Sequence, residues 1–165
     1  MKLESLCALI VAALVTPAMA MAEDGKAPEH DKTLSTNVVL AGLGLVNAEV
    51  EWSSGTHYAS EVSVAYGNPV LSDDDLMISA LMAGGKWYLN DRKTGLLAGW
   101  RVARVHASNG TDILGPGGYV GYRLGGENGG WTAAANLGGI YNLLGESRDS
   151  TPGLPFAEIL VGYRF

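Results

Sequence analysis

His106 and Ser108 stand two residues apart in a segment where apolar and polar residues alternate. In a strand, that spacing sets both side chains side by side on one face. An imidazole so placed can take the proton of a serine hydroxyl and turn it into a nucleophile. A second set of residues could do electrostatic work. Glu49, Glu51, Glu61 and Glu158 are matched by Lys86, Arg101, Arg123 and Arg164, four acids against four bases. Charges of both signs fit a packed interior only as pairs, since one left alone costs several kcal/mol. Metal chemistry has little support. His30, His57 and His106 lack ligand spacing, and Asp73, Asp74 and Asp75 lack the glycine and ligand pattern of an EF-hand. Gly115-Pro116-Gly117-Gly118 is followed by no Lys-Ser/Thr, so it is not a phosphate loop. No cofactor and no metal are expected.

Strands must position these groups. Segments alternating with period two run over 36–43, 45–53, 58–67, 76–90, 95–106, 114–125, 131–142 and 156–165. Each is close to the 9–11 residues of a tilted membrane strand. In the last, Ala157, Ile159, Val161, Tyr163 and Phe165 share one face, and Glu158, Leu160, Gly162 and Arg164 the other. In the second, Val46, Ala48, Val50 and Trp52 oppose Asn47, Glu49 and Glu51. The charged set falls on the faces that would point into a barrel. Eight strands enclose a space that side chains just fill.

The N-terminal part reads differently. Lys2 precedes an apolar run over 6–15, Thr16-Pro17 ends it, and Ala20 or Ala22 offers a cleavage point. Residues 1–22 therefore read as a secretory signal and 23–32 as a polar tail, leaving 33–165 for the barrel. Ten apolar residues are too few for a helical span, which needs ~20. Cys7 lies inside the signal, so the mature chain has no thiol chemistry. The net charge of −6 argues against nucleic acid as a partner. Glycine is frequent, 23 of 165 residues, without a collagen period.

Trp52, Tyr58, Trp87, Tyr122, Trp131, Tyr163 and Phe165 fall at the strand ends nearest three short turns, on the apolar faces. Rings with one apolar side and one polar tip suit a membrane interface. The intervening connections, 68–75, 107–113 and 143–155, read as longer and more polar. Short turns inside and longer loops outside suit an outer-membrane barrel. The first connection, Gly42-Leu43-Gly44, is hardly a loop, so 38–52 could be one long strand, or a strand could begin near Lys32.

The chain ends Ile159-Leu160-Val161-Gly162-Tyr163-Arg164-Phe165. This resembles the C-terminal strand signature of bacterial outer-membrane proteins, which implies recognition by the barrel-assembly machinery. With strands such as Gly117-Gly118-Tyr119-Val120-Gly121-Tyr122-Arg123, the mature chain resembles the small eight-stranded OmpA/OmpX-like barrel class. That resemblance implies an all-β, antiparallel up-and-down transmembrane barrel in a Gram-negative outer membrane. Lipids and lipopolysaccharide would surround it, and a monomer is favoured. The role expected is structural or surface interaction around a filled lumen. A narrow porin-like channel for ions or small solutes is the alternative. His106-Ala107-Ser108-Asn109 also resembles the His-x-Ser-Asn motif of outer-membrane lipid A deacylases. In those enzymes an acid about a dozen positions after the serine orients the histidine. Here Tyr119, Val120 and Gly121 occupy that stretch, and Asp112 and Glu127 lie at other distances. Without the third group the triad is incomplete, and no enzyme is expected.

Overall fold

The computed structural model describes residues 32–70, 76–144 and 153–165. The signal-like segment, His30 and Asp73, Asp74 and Asp75 lie outside these residues, as does the tail up to residue 31. Eight strands alternate in direction: β1 (Lys32–Asn37), β2 (Leu45–Ser53), β3 (Tyr58–Gly67), β4 (Ile78–Tyr88), β5 (Gly95–Ala107), β6 (Asp112–Gly125), β7 (Gly130–Tyr141) and β8 (Gly153–Arg164). Each pairs antiparallel with its sequence neighbour, and β8 returns to β1, closing the barrel. Backbone bonds between Lys32 and Phe165, at 3.1 and 2.9 Å, seal the seam at the end carrying the termini.

The register fixes the barrel's shear. The row of paired residues from Gly130 runs through Arg164, Thr33, Glu51, Glu61, Gly84, Arg101 and Gly117 to Ile140. It returns to β7 ten residues beyond its start. Strands of such a barrel tilt by ~35–45°. The row also carries four of the charged side chains that sequence alternation turned inward, Arg164, Glu51, Glu61 and Arg101.

Two boundaries differ from the sequence reading. The first strand is not 36–43. It starts at Lys32, the earlier start that the sequence left open, and stops at Asn37. Val38–Gly42 then forms a single-turn helix, α1. Asn37 Oδ1 caps it, accepting from Val39 N at 3.1 Å and Leu40 N at 3.4 Å. The Asn47 side chain closes the end of the β1–β2 ladder, its Oδ1 taking Asn37 N and its Nδ2 reaching Asn37 O at 3.0 Å. Capping on one side and a side-chain substitute for strand pairing on the other end the strand despite the β-branched valines. The second correction concerns 107–113. This is no long loop, because β5 and β6 continue to Ala107 and Asp112 and only a tight turn joins them. Gly110, at φ +92°, supplies the left-handed residue of that turn.

Candidate functional site: a filled barrel interior and its apolar outer wall

Alternation sends every second side chain inward. Glu49, Glu51, Glu61, Glu158, Lys86, Arg101, Arg123 and Arg164 are all buried. Lys86 on β4 lies among three carboxylates, with Nζ 2.5 Å from Glu49, 2.9 Å from Glu51 and 2.9 Å from Glu61. The Glu61 contact is an ion pair without the alignment of a directed hydrogen bond. Arg101 grips Glu158 with two nitrogens, at 2.7 and 3.2 Å, and lies 3.3 Å from Glu61. Arg123 grips Glu51 in the same forked way. A planar guanidinium matches a carboxylate with two parallel bonds, which fixes both in position.

Neutral partners absent from the sequence reading complete the network. Tyr88 OH donates to Glu51 at 3.1 Å, and Tyr119 OH to Glu61 at 2.8 Å. Asn136 Nδ2 donates to Glu158 at 3.2 Å. The Arg101 guanidinium lies over the rings of Tyr119 and Phe156, at 4.3 and 4.9 Å from their centroids. Gly99 and Gly138 make room for Tyr119, since an added Cβ at either would enter its side chain. The signal for these tyrosines lay in alternation, which places Tyr88 in phase with Lys86. Apolar packing continues beyond the charges. Ala103, Ile113 and Ile140 form a cluster with Met82, Val105 and Phe156.

Arg164 sits elsewhere, at the terminal end. Its Nη1 donates to the carbonyls of Arg92 and Gly126 at 3.1 and 3.0 Å. Those two turns are also joined by the exposed Arg92–Glu127 pair at 3.1 Å. Arg164 thus ties turns across the barrel mouth, with the buried Lys93 in one of them.

The outer wall has the opposite character. Leu34, Val46, Val64, Leu81, Leu96, Val120, Leu137 and Ile159 are large, apolar and exposed. Trp87, Tyr122, Trp131, Tyr163 and Phe165 are exposed too, and Trp52 and Tyr58 half-buried. Paired rows climb by about 1.25 residues per strand in a barrel of this shear. Allowing for that climb, these seven aromatics fall within about four residues of one level around the barrel. Trp131 and Tyr163 meet edge to face at 5.7 Å, and His57 stacks on Trp87 at 5.7 Å. A second ring, missed in the sequence, lies toward the far end, where Tyr66 and Tyr141 point outward. Trp131 and Tyr141 are ten residues apart on β7. At ~3.3 Å rise and ~40° tilt, they stand roughly 25 Å apart along the axis. Ala133, Ala135, Leu137 and Gly139 face outward between them.

The His106–Ser108 pair lies on this wall at the far end. The Ser108 hydroxyl accepts a bond from Met77 N at 3.0 Å, and Ser108 N donates to Met77 O at 2.9 Å. Asp112 is the cross-strand partner of His106, and its carboxylate pairs with Arg104 at 3.3 Å.

No protein-family profile matches the chain, and no curated protein matches it significantly. Among solved structures it is similar to OmpT, an outer membrane protein of Vibrio cholerae. Sequence identity is 19% and the TM-score 0.31, over 73% of this chain and 40% of that protein. The chain thus spans about two fifths of that protein's length.

Proposed function

We propose that the chain is an integral outer-membrane protein whose lumen is filled by its own side chains, with a structural or surface-interaction role. One observation carries this reading: the polarity of the barrel is inverted. Eight charged groups are buried inside, while leucines, valines and isoleucines cover the outside. In water such a wall would cost ~25 cal/mol for each Å² of apolar surface left wet. In hydrocarbon it is the expected surface. A closed barrel also leaves no sheet edge unpaired along most of its wall, as a membrane demands. The ring spacing of roughly 25 Å matches the apolar band of outer-membrane barrels.

Lys32, Phe165 and the three short turns then lie on the periplasmic side, with α1 and the turn at 108–111 toward the outside. The C-terminal strand, with Tyr163 and Phe165 outward, is available to the assembly machinery before the seam with β1 closes. Lipids and lipopolysaccharide are the immediate neighbours in this reading. The test is cell fractionation combined with electrophoresis of unboiled samples. We expect the protein in the outer-membrane fraction, migrating as a compact species that shifts on boiling. Recovery as a soluble periplasmic protein without a heat shift would overturn the proposal.

A further inference from the structure

Among the described residues, Lys86, Arg101 and Arg123 lie inside the barrel, and Lys32, Arg92, Lys93 and Arg164 gather at the terminal end. Arg104 stands apart from both groups, on the outer wall at the far end, with 39% of its side chain exposed. In its row it lies between Leu81 of β4 and Leu114 of β6. The next row outward holds Tyr66, Ser79, His106 and Asp112, paired in that order across β3 to β6. Ser79, His106 and Asp112 are each two positions from Leu81, Arg104 and Leu114, so they share the outer face. The wall thus changes from leucines to hydroxyl, imidazole and carboxylate groups in one step, and Arg104 roots on the apolar side of it. A guanidinium is costly at the centre of a hydrocarbon layer and cheap at its surface, which its long stem lets it reach.

Asp112 answers only part of the Arg104 charge. Nη2 lies 3.3 Å from Oδ2, a single long contact. In the interior, Arg101 and Arg123 hold their carboxylates with two nitrogens each, at closer range. The Nε and Nη1 groups of Arg104 make no hydrogen bond among the described residues, and neither do the exposed His106 ring and the half-buried Ser79 hydroxyl. Donors from three neighbouring residues therefore converge on one spot of the outer face. A tetrahedral phosphate suits that spot, taking a forked pair from the guanidinium and single bonds from the imidazole and hydroxyl.

We propose that Arg104, Ser79 and His106 seat the phosphate of a lipid headgroup from the outer half of the bilayer, with a hydrocarbon chain of that lipid lying along Leu81 and Leu114. The proposal rests on the bilayer reading above, which sets the far aromatic ring, level with Arg104, at headgroup depth. A free phosphate ion offers the same oxygens without the chain, and the test separates the two sources.

The test uses the mature protein in dodecyl maltoside micelles, which carry no phosphate. The Arg104 Nε–Hε and His106 ring resonances are the probes. Dioleoyl phosphatidate is titrated in, with dioleoylglycerol and inorganic phosphate as controls. We expect a saturable shift of both probes with phosphatidate, at least tenfold weaker binding of inorganic phosphate, and no saturable shift with dioleoylglycerol. Contacts from the phosphatidate chains to the Leu81 and Leu114 methyls should appear with the shift. Arg104→Gln, read on His106, should weaken binding at least tenfold while the compact unboiled band persists. Ser79→Ala, a smaller change, should weaken it severalfold. No saturable shift, equal binding of phosphatidate and inorganic phosphate, an equal response to dioleoylglycerol, or unchanged binding in both variants overturns the site. The bilayer reading is checked in the same samples by contacts between detergent chains and the methyls of Val64 and Leu137. If those contacts are present and Arg104 is silent, only the phosphate site fails; if they are absent, both readings fall.

Discussion

Arg123 holds Glu51 with both guanidinium nitrogens, Nη1 on Oε1 at 2.7 Å and Nη2 on Oε2 at 2.6 Å. The two residues belong to strands on different sides of the barrel, so the pair braces the wall across its interior. Tyr88 and Lys86 bind the same carboxylate. Removing one partner leaves a buried charge without its match, which costs ~3–5 kcal/mol. Arg123→Met should lower stability by about that amount. Arg123→Met combined with Glu51→Gln should recover a large share, because neither charge then remains stranded. Urea unfolding in lipid vesicles measures both. Equal losses in the single and double variants would show that the side chains matter for shape and not for charge pairing.

Leu137 lies midway along β7, outward and 65% exposed. In hydrocarbon, arginine at this depth costs ~2–4 kcal/mol, whereas near the interface the cost falls to ~0–1 kcal/mol. Leu137→Arg should therefore destabilise the barrel strongly and Tyr141→Arg little. A water-facing wall would accept both with small effects. The ratio of the two losses, measured by the same unfolding assay, separates the surroundings without any assumption about localisation.

Which face of each strand points inward was legible in the sequence wherever charged and apolar residues alternated cleanly, as in Val46 to Trp52 and Ala157 to Phe165. The count of eight was legible too, but its first member was misplaced. Val38 and Val39 continue the pattern of a strand, and nothing local announces that Asn37 will cap a helical turn. The decisive partner, Asn47, comes ten residues later and acts through a tertiary bond. The tight turn between β5 and β6 was hidden for another reason. His106, Ser108, Asn109 and Asp112 are polar on every side, so period-two alternation disappears although the strands continue. Alternation puts Tyr88 in phase with Lys86 and Tyr119 in phase with Arg123, but whether a ring fits there depends on the interior space. Aromatics on a barrel are expected outside, and only the small residues Gly99 and Gly138 show that one ring fits within.

Two glycines distinguish the inside of the wall from the outside. An added Cβ at Gly84 would strike the backbone of Trp100 and lie 2.8 Å from Arg101 Cα. At Gly118 the nearest atom is Gly99 O, at 3.8 Å. Gly84→Ala should lower the boiling-shift temperature of the folded band by many degrees, or prevent the compact band from forming. Gly118→Ala should leave it within a few degrees. A tolerant Gly84 would mean that β4 and β5 separate more easily than their register suggests.

The filled interior also bears on conduction. Lys86, Arg101 and Tyr119 meet the glutamates across the lumen, and the cavity behind α1 holds about one water. In planar bilayers the protein should give no steady discrete openings at moderate voltage. Regular openings of uniform size, unaffected by Lys86→Ala, would place an ion path outside this network.

The last prediction concerns Ser108. A serine nucleophile needs its hydroxyl proton directed at a base, and the base needs an orienting acid. Here the Ser108 oxygen accepts a hydrogen bond from the Met77 amide, at 3.0 Å, and the Met77 carbonyl holds the Ser108 backbone. That arrangement reads as a latch between the 108–111 turn and the start of β4. The acid paired with His106 across the strands is Asp112, and its carboxylate is drawn to Arg104. Arg104 stands level with Tyr66 and Tyr141 on the outer wall, a level at which, in the proposed bilayer, a guanidinium would meet lipid headgroups and Asp112 would offset its charge. We therefore expect lipid A from cells expressing the protein to keep its full set of acyl chains, by mass spectrometry, and Ser108→Ala to change nothing in that spectrum. The same substitution removes one bond of the latch and should cost about 1 kcal/mol in stability. Loss of an acyl chain that depends on both Ser108 and His106 would reverse the assignment and make the Asp112–Arg104 pair a brake on a hydrolase.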